Sequence, residues 1–237
     1  MSDRNRKDDS GKDRREDTSR RQFLLAGTAA VALAAQPLDA ASAQETSAPE
    51  WQGYKFLSGD EVSTVTALVD RLIPKDANGP GGVESGIVTF IDRELAGQFG
   101  IAARWYMQGP WSEGTPSQGW QQALTPAALY RSCLLAFDRW CGGTHGKRFV
   151  DIAAAEQDDI IRQLEAGKID LDGVASSVFF QQLWQNCLEG YLSDPLYGGN
   201  RQMAAWKMIG FPGANPVLTP ALDLKGEPYH SDPIGIA

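Results

Sequence analysis

The side chains through which this 237-residue chain could do chemistry are few: two histidines, three cysteines and some paired carboxylates. His145 lies in Gly142-Gly143-Thr144-His145-Gly146, a setting that suits a general base but more often holds a solvated imidazole. His230 sits in a proline-rich tail with less to orient it. The two together cannot make a His-Glu-x-x-His zinc helix. Asp158-Asp159 and Asp170/Asp172 have the spacing of acid–base pairs, yet near predicted helix starts such groups usually complement the macrodipole. Gly79-Pro80-Gly81 runs to Glu84 where a dinucleotide loop needs its third glycine. Gly146-Lys147 is followed by Arg148 and has Cys141 where a phosphate loop needs glycine. Cys133, Cys141 and Cys187 lack the spacing of a haem attachment or iron–sulfur set. No catalytic set, cofactor-binding residue or metal ligand set is read from the chain.

One stretch is more specific. Gly190-Tyr191-Leu192-Ser193-Asp194-Pro195-Leu196-Tyr197-Gly198-Gly199-Asn200-Arg201 combines a turn start at Asp194-Pro195 with two permissive glycines and an asparagine placed to cap a helix from Arg201. A cap and a turn leave Tyr197 and the crowded glycines unexplained, and both suit close approach by another surface. Asp194, Pro195, Tyr197, Gly198, Gly199, Asn200 and, two turns on, Trp206 are therefore the candidate partner contacts. The proline-rich tail has too little periodicity to fold on itself and is expected to order against the same partner.

The cysteines admit fewer arrangements than their number suggests. Cys133 and Cys141 fall eight residues apart on one predicted helix, about 12 Å, beyond the roughly 7 Å a disulfide spans. Cys133 is expected as a buried thiol. Cys141, at the helix end, is expected to be more exposed and placed to meet Cys187 or a partner's cysteine. Three inert buried thiols are the alternative.

The elements that must position these residues read as helices. Ser58 and Glu61 have capping-box spacing before Val62, Val65, Leu68, Val69 and Leu72, and Pro74 stops the run. Further helices fit Glu84 to Ala96, Pro126 to about Trp140 (ended by Gly142-Gly143), Ala154 to Ala166, about Val174 to Tyr191, and a short one from Arg201 to Ile209. No convincing period-two alternation and no internal repeat occurs. The fold expected is all-α: a small irregular domain of about six helices with long Gly/Pro-rich loops over residues 58–213. A linker precedes it at 44–57 and an extended proline-rich tail follows at 214–237.

Residues 1–43 read as an address. A charged segment is followed by Ser19-Arg20-Arg21-Gln22-Phe23-Leu24-Leu25, an Ala-rich apolar run to Ala35, and Ala41-Ser42-Ala43 as a cleavage site. Arg20, Arg21, Phe23 and Leu24 look like a twin-arginine export signal, which predicts a periplasmic protein exported folded and cut after Ala43. Phe23 to Ala35 is 13 residues, short of the roughly 20 that span a bilayer, and no later segment is long and apolar enough. Thirty acidic against 22 basic residues, net −8, argue against non-specific binding to nucleic acid or anionic lipid.

Three blocks give the chain a resemblance. They are Leu72-Ile73-Pro74 with Gly79-Pro80-Gly81 and Gly86 through Leu95; Asp194 through Asn200; and Trp206-Lys207 with Ile209-Gly210-Phe211-Pro212-Gly213. Together they resemble the gluconate 2-dehydrogenase subunit 3 family, the small subunits of membrane-associated flavin-dependent sugar and sugar-acid dehydrogenases. The resemblance implies a non-catalytic subunit without a redox cofactor of its own. It also implies a large partner that holds FAD and oxidises the sugar, and a multi-haem cytochrome c that carries electrons to the membrane. The competing reading is a stand-alone periplasmic enzyme or small-ligand binder with Tyr197, Asn200 and His145 lining a pocket.

Overall fold

The structure is a computed structural model describing residues 53–112, 114–215, 224, 226, 227 and 230–236. Arg20, Arg21, Phe23 and Leu24, expected as an export signal, and the expected cleavage site after Ala43 lie outside the described residues. Within them the protein is all-α, with six α-helices and one two-stranded hairpin.

Helix α1 (Gly59–Leu72) begins at the expected capping box. The Ser58 amide donates to Glu61 Oε2 at 2.8 Å, and the Glu61 amide donates to Ser58 Oγ at 3.4 Å. Its stripe of Val65, Leu68 and Val69 is buried. Helix α2 (Ile87–Ala96) starts three residues later than its periodicity suggests. Gly86 stands at φ 86°, a left-handed angle that closes the turn from Val83 before the helix can begin.

Helix α3 (Pro126–His145) has Thr125 as its cap and Pro126 at its first position, as expected. It does not stop at Gly142-Gly143. Those glycines permit a left-handed angle without requiring one, and the chain turns only at Gly146, φ 66°. Helix α4 (Ala154–Glu165) follows. Then Asp170–Leu171 (β1) and Val174–Ala175 (β2) pair antiparallel around Asp172 and Gly173, both at positive φ. This hairpin was not expected: two-residue strands are too short to alternate, although Asp-Gly is the dipeptide such a turn prefers.

Helix α5 (Ser176–Leu192) is the hub, packing on α2, α3 and α4 and touching α6 (Ala204–Ile209). The expected helix from Arg201 is interrupted: Arg201–Met203 form a tight turn with Gln202 and Met203 at positive φ before α6 starts. One core runs through α1 to α5, centred on Leu68, Ile91, Tyr130, Phe137, Ile160 and Phe179.

Two supposed connectors are tied to that core. Residues 55–57 end the expected linker, and their three amides donate to the buried Asp92 carboxylate at 2.8–2.9 Å. The described end of the tail also returns to the domain. The Ala214 amide donates to the Ile234 carbonyl (2.8 Å) and the Ile234 amide to the Pro212 carbonyl (3.2 Å). Backbone groups that need partners find them within the chain.

Candidate functional site

The 190–206 stretch is built from the inside. Asn200 is fully buried; its Nδ2 donates to the Ser193 carbonyl and its Oδ1 accepts from the Ala205 amide, both at 2.9 Å. It thus caps α6 rather than the turn at Arg201. Asp194 is also buried, its Oδ1 accepting from the Leu196 amide (2.9 Å) and its Oδ2 from the Ile236 amide (2.7 Å). Trp206 is 6% exposed, donates Nε1 to the Leu192 carbonyl at 2.8 Å, and meets the Phe211 ring edge-on at 5.2 Å.

The glycines are crowded by this chain itself. A Cβ on Gly199 would sit 2.0 Å from the Gly190 carbonyl oxygen, and one on Gly190 would sit 2.8 Å from the Phe90 ring. Gly198, at φ 98°, closes the turn after Tyr197. Of the residues expected to face a partner, Asp194, Asn200 and Trp206 spend their polar atoms within this chain, and Gly198 and Gly199 their clearances. Pro195 is half-buried, and Tyr197, 48% exposed, is the member of the set that points outward.

Tyr197 has apolar company. Among the described residues Leu192, Leu196, Met208, Ile209, Phe211, Ile234 and Ile236 are large, apolar and exposed; they lie at the end of α5, in the turn 195–197, on α6 or just after it, and in the returning tail. The hydrogen bonds of Asp194 and Trp206 hold those segments to one another. Beside Tyr197 a groove of about 500 Å³ opens between α2 and α5. Phe90, Leu188 and Leu192 line it, with Glu94 on one helix and Glu189 on the other. Burial and then the neighbouring Glu189 raise the Glu94 pKa. A second cleft of about 370 Å³, between α6 and the tail, is lined by Trp206, Lys207, Phe211, His230 and Asp232.

The sequence candidates for acid–base chemistry are dispersed into structural roles. His145 closes α3, its Nδ1 2.8 Å from Glu156 and its ring against Trp140. Asp158 is not at a helix start; Arg71 of α1 grips both its oxygens at 2.7 Å. Asp159 pairs with Arg162 one turn along α4, Asp172 pairs with Arg139, and Asp170 accepts from the Gly173 amide. His230 stands in the tail cleft, remote in sequence from all of these. No group of three or more His, Cys, Asp or Glu side chains suited to a metal occurs among the described residues.

The cysteines follow the alternative expectation. Cys133, Cys141 and Cys187 are free and buried, and burial pushes each thiol up to about 12. The Cys141–Cys187 bridge is not formed, and Cys141 is not exposed because α3 continues a turn past it. Asp92 and the Glu94/Glu189 groove were missed from sequence. Asp92 carried a weak signal, as a carboxylate directly after the apolar Phe90-Ile91 on the buried face of the run Val88 to Leu95.

Fold and site thus define a small helical protein whose distinctive motif is held by its own backbone, with exposed apolar side chains on the segments around it. The family described as Gluconate 2-dehydrogenase subunit 3 matches residues 59–213, and the chain belongs to that family. The match begins at the first residue of α1 and stops at the glycine where the tail returns. No curated protein and no solved structure gives a significant match. Membership makes the chain an accessory subunit of an oxidoreductase complex, associated with other gluconate dehydrogenase subunits.

Proposed function

We propose that the chain is the non-catalytic small subunit of a periplasmic FAD-dependent gluconate or sugar dehydrogenase. It carries the Arg20-Arg21 signal that exports the folded flavoprotein subunit, and it stabilises that subunit through the apolar end around Tyr197. The observation that carries the reading is the family match over residues 59–213, spanning all six helices. Two further features support it. The motif shared with the family spends its polar atoms on its own backbone, while large apolar side chains stay exposed beside it, as at protein–protein contacts. The leader matters because a flavoprotein assembled in the cytoplasm crosses the membrane only as a folded complex. FAD belongs to the large subunit in this reading, and a membrane-bound multi-haem cytochrome c receives the electrons.

Deletion of this chain tests it. Sugar-acid dehydrogenase activity should vanish from the periplasm and membrane while the flavoprotein stays in the cytoplasm or is degraded. Undiminished periplasmic activity would contradict the proposal.

A further inference from the structure

We infer that the groove between α2 and α5 receives a basic side chain, arginine or lysine, carried on an apolar segment of the flavoprotein subunit. This rests on the complex proposed above and names the chemistry of its contact. The groove joins two features that conflict in the free subunit. Its lining by Phe90, Leu188 and Leu192 is apolar, and Tyr197 stands at its rim. Its helices nevertheless present two carboxylates, Glu94 and Glu189, close enough to repel.

Glu94 is half-buried, and no cationic side chain pairs with it among the described residues. Glu189 accepts from the Gln185 amide at 2.9 Å and the Asn186 amide at 3.2 Å. Neutral amides orient a carboxylate without neutralising it. Elsewhere among the described residues an arginine matches a carboxylate across two helices, Asp158 by Arg71 and Glu61 by Arg131. The groove has no such match. An incoming cation would remove the repulsion and satisfy Glu94 in the setting where charge-assisted bonds are strongest. A long basic side chain also fits the apolar lining, because its methylene stem lies on hydrophobic surface while its head reaches the carboxylates. The groove adjoins Tyr197, so the same approach would cover both.

The test uses the full chain co-expressed with the flavoprotein subunit of its own host, and purified as the complex. Glu94→Gln should weaken assembly about tenfold and Glu94→Lys at least a hundredfold, with helical circular dichroism unchanged. A photo-crosslinking residue at Gln185, on the rim, should capture a flavoprotein peptide containing arginine or lysine among apolar residues. The inference is overturned if both Glu94 variants assemble like the parent, or if the captured peptide has no basic residue or comes from a second copy of this chain. In those cases the complex still forms and the proposed function stands. Failure of the parent chain to assemble at all would sink both.

Discussion

At the residue scale, Asn200 and Tyr197 divide the labour of a motif that reads as one unit in sequence. Replacing Asn200 with Ala removes two hydrogen bonds and leaves the Ser193 carbonyl and Ala205 amide unpaired in the interior. We expect a loss of about 2–4 kcal/mol by chemical denaturation. Tyr197→Ala should change stability by less than about 0.5 kcal/mol and weaken partner assembly about tenfold or more, measured on the co-purified complex. The thiols give a third prediction. Because burial pushes each to about 12, iodoacetamide at pH 8 should leave all three unmodified in the folded protein and alkylate all three in guanidinium. Sequence showed that the 194–200 motif was special but not which way its side chains pointed. Asn and Gly serve an internal turn and a docking loop with the same chemistry, and only the Gly199–Gly190 approach decides between them.

At the element scale, a bidentate link joins two separated helices, Arg71 on α1 with Asp158 on α4. The Arg71 hydrogen bond holds the Asp158 carboxyl below its ordinary value. A carboxyl lowered in the folded state stabilises the fold above its unfolded pKa, near 3.9. That contribution is lost as pH falls through this value toward the lowered one. Asp158→Asn should therefore reduce the urea midpoint at pH 7 and flatten its decline between about pH 5 and pH 2 relative to the parent. The existence and type of all six helices were legible, because apolar spacing, the Ser58 and Thr125 caps and Pro74 agree with one another. Element ends were less so. Gly86, Gly142, Gly143 and Gly146 are one residue type in sequence, and only local packing chooses which of them adopts a left-handed angle. The hairpin at 170–175 was invisible to periodicity, and only its Asp-Gly turn advertised it.

At the scale of the whole molecule, the address and the helical domain serve one purpose in the proposed function. The leader brings the complex to the export machinery, and the apolar end holds the flavoprotein to the leader. Arg20→Lys with Arg21→Lys should leave this chain and the flavoprotein in the cytoplasm together, because an ammonium does not reproduce a guanidinium fork. Cell fractionation followed by a dehydrogenase assay reads the outcome. The prolines of the tail exclude regular structure, yet its described residues Ile234 and Ile236 bond to Pro212, Ala214 and the Asp194 carboxylate, and such isolated pairings have no sequence period to detect.

The most direct measurement is the composition of the native assembly. Affinity purification of the tagged full chain from its own host, with quantitative mass spectrometry and an absorption spectrum, should yield a roughly equimolar flavoprotein with the 450 nm band of bound FAD. Loss of that partner in the Tyr197→Ala and Glu94→Lys chains would place the contact at the apolar end. Recovery of the parent chain alone, or with a partner that carries no flavin, would contradict the account.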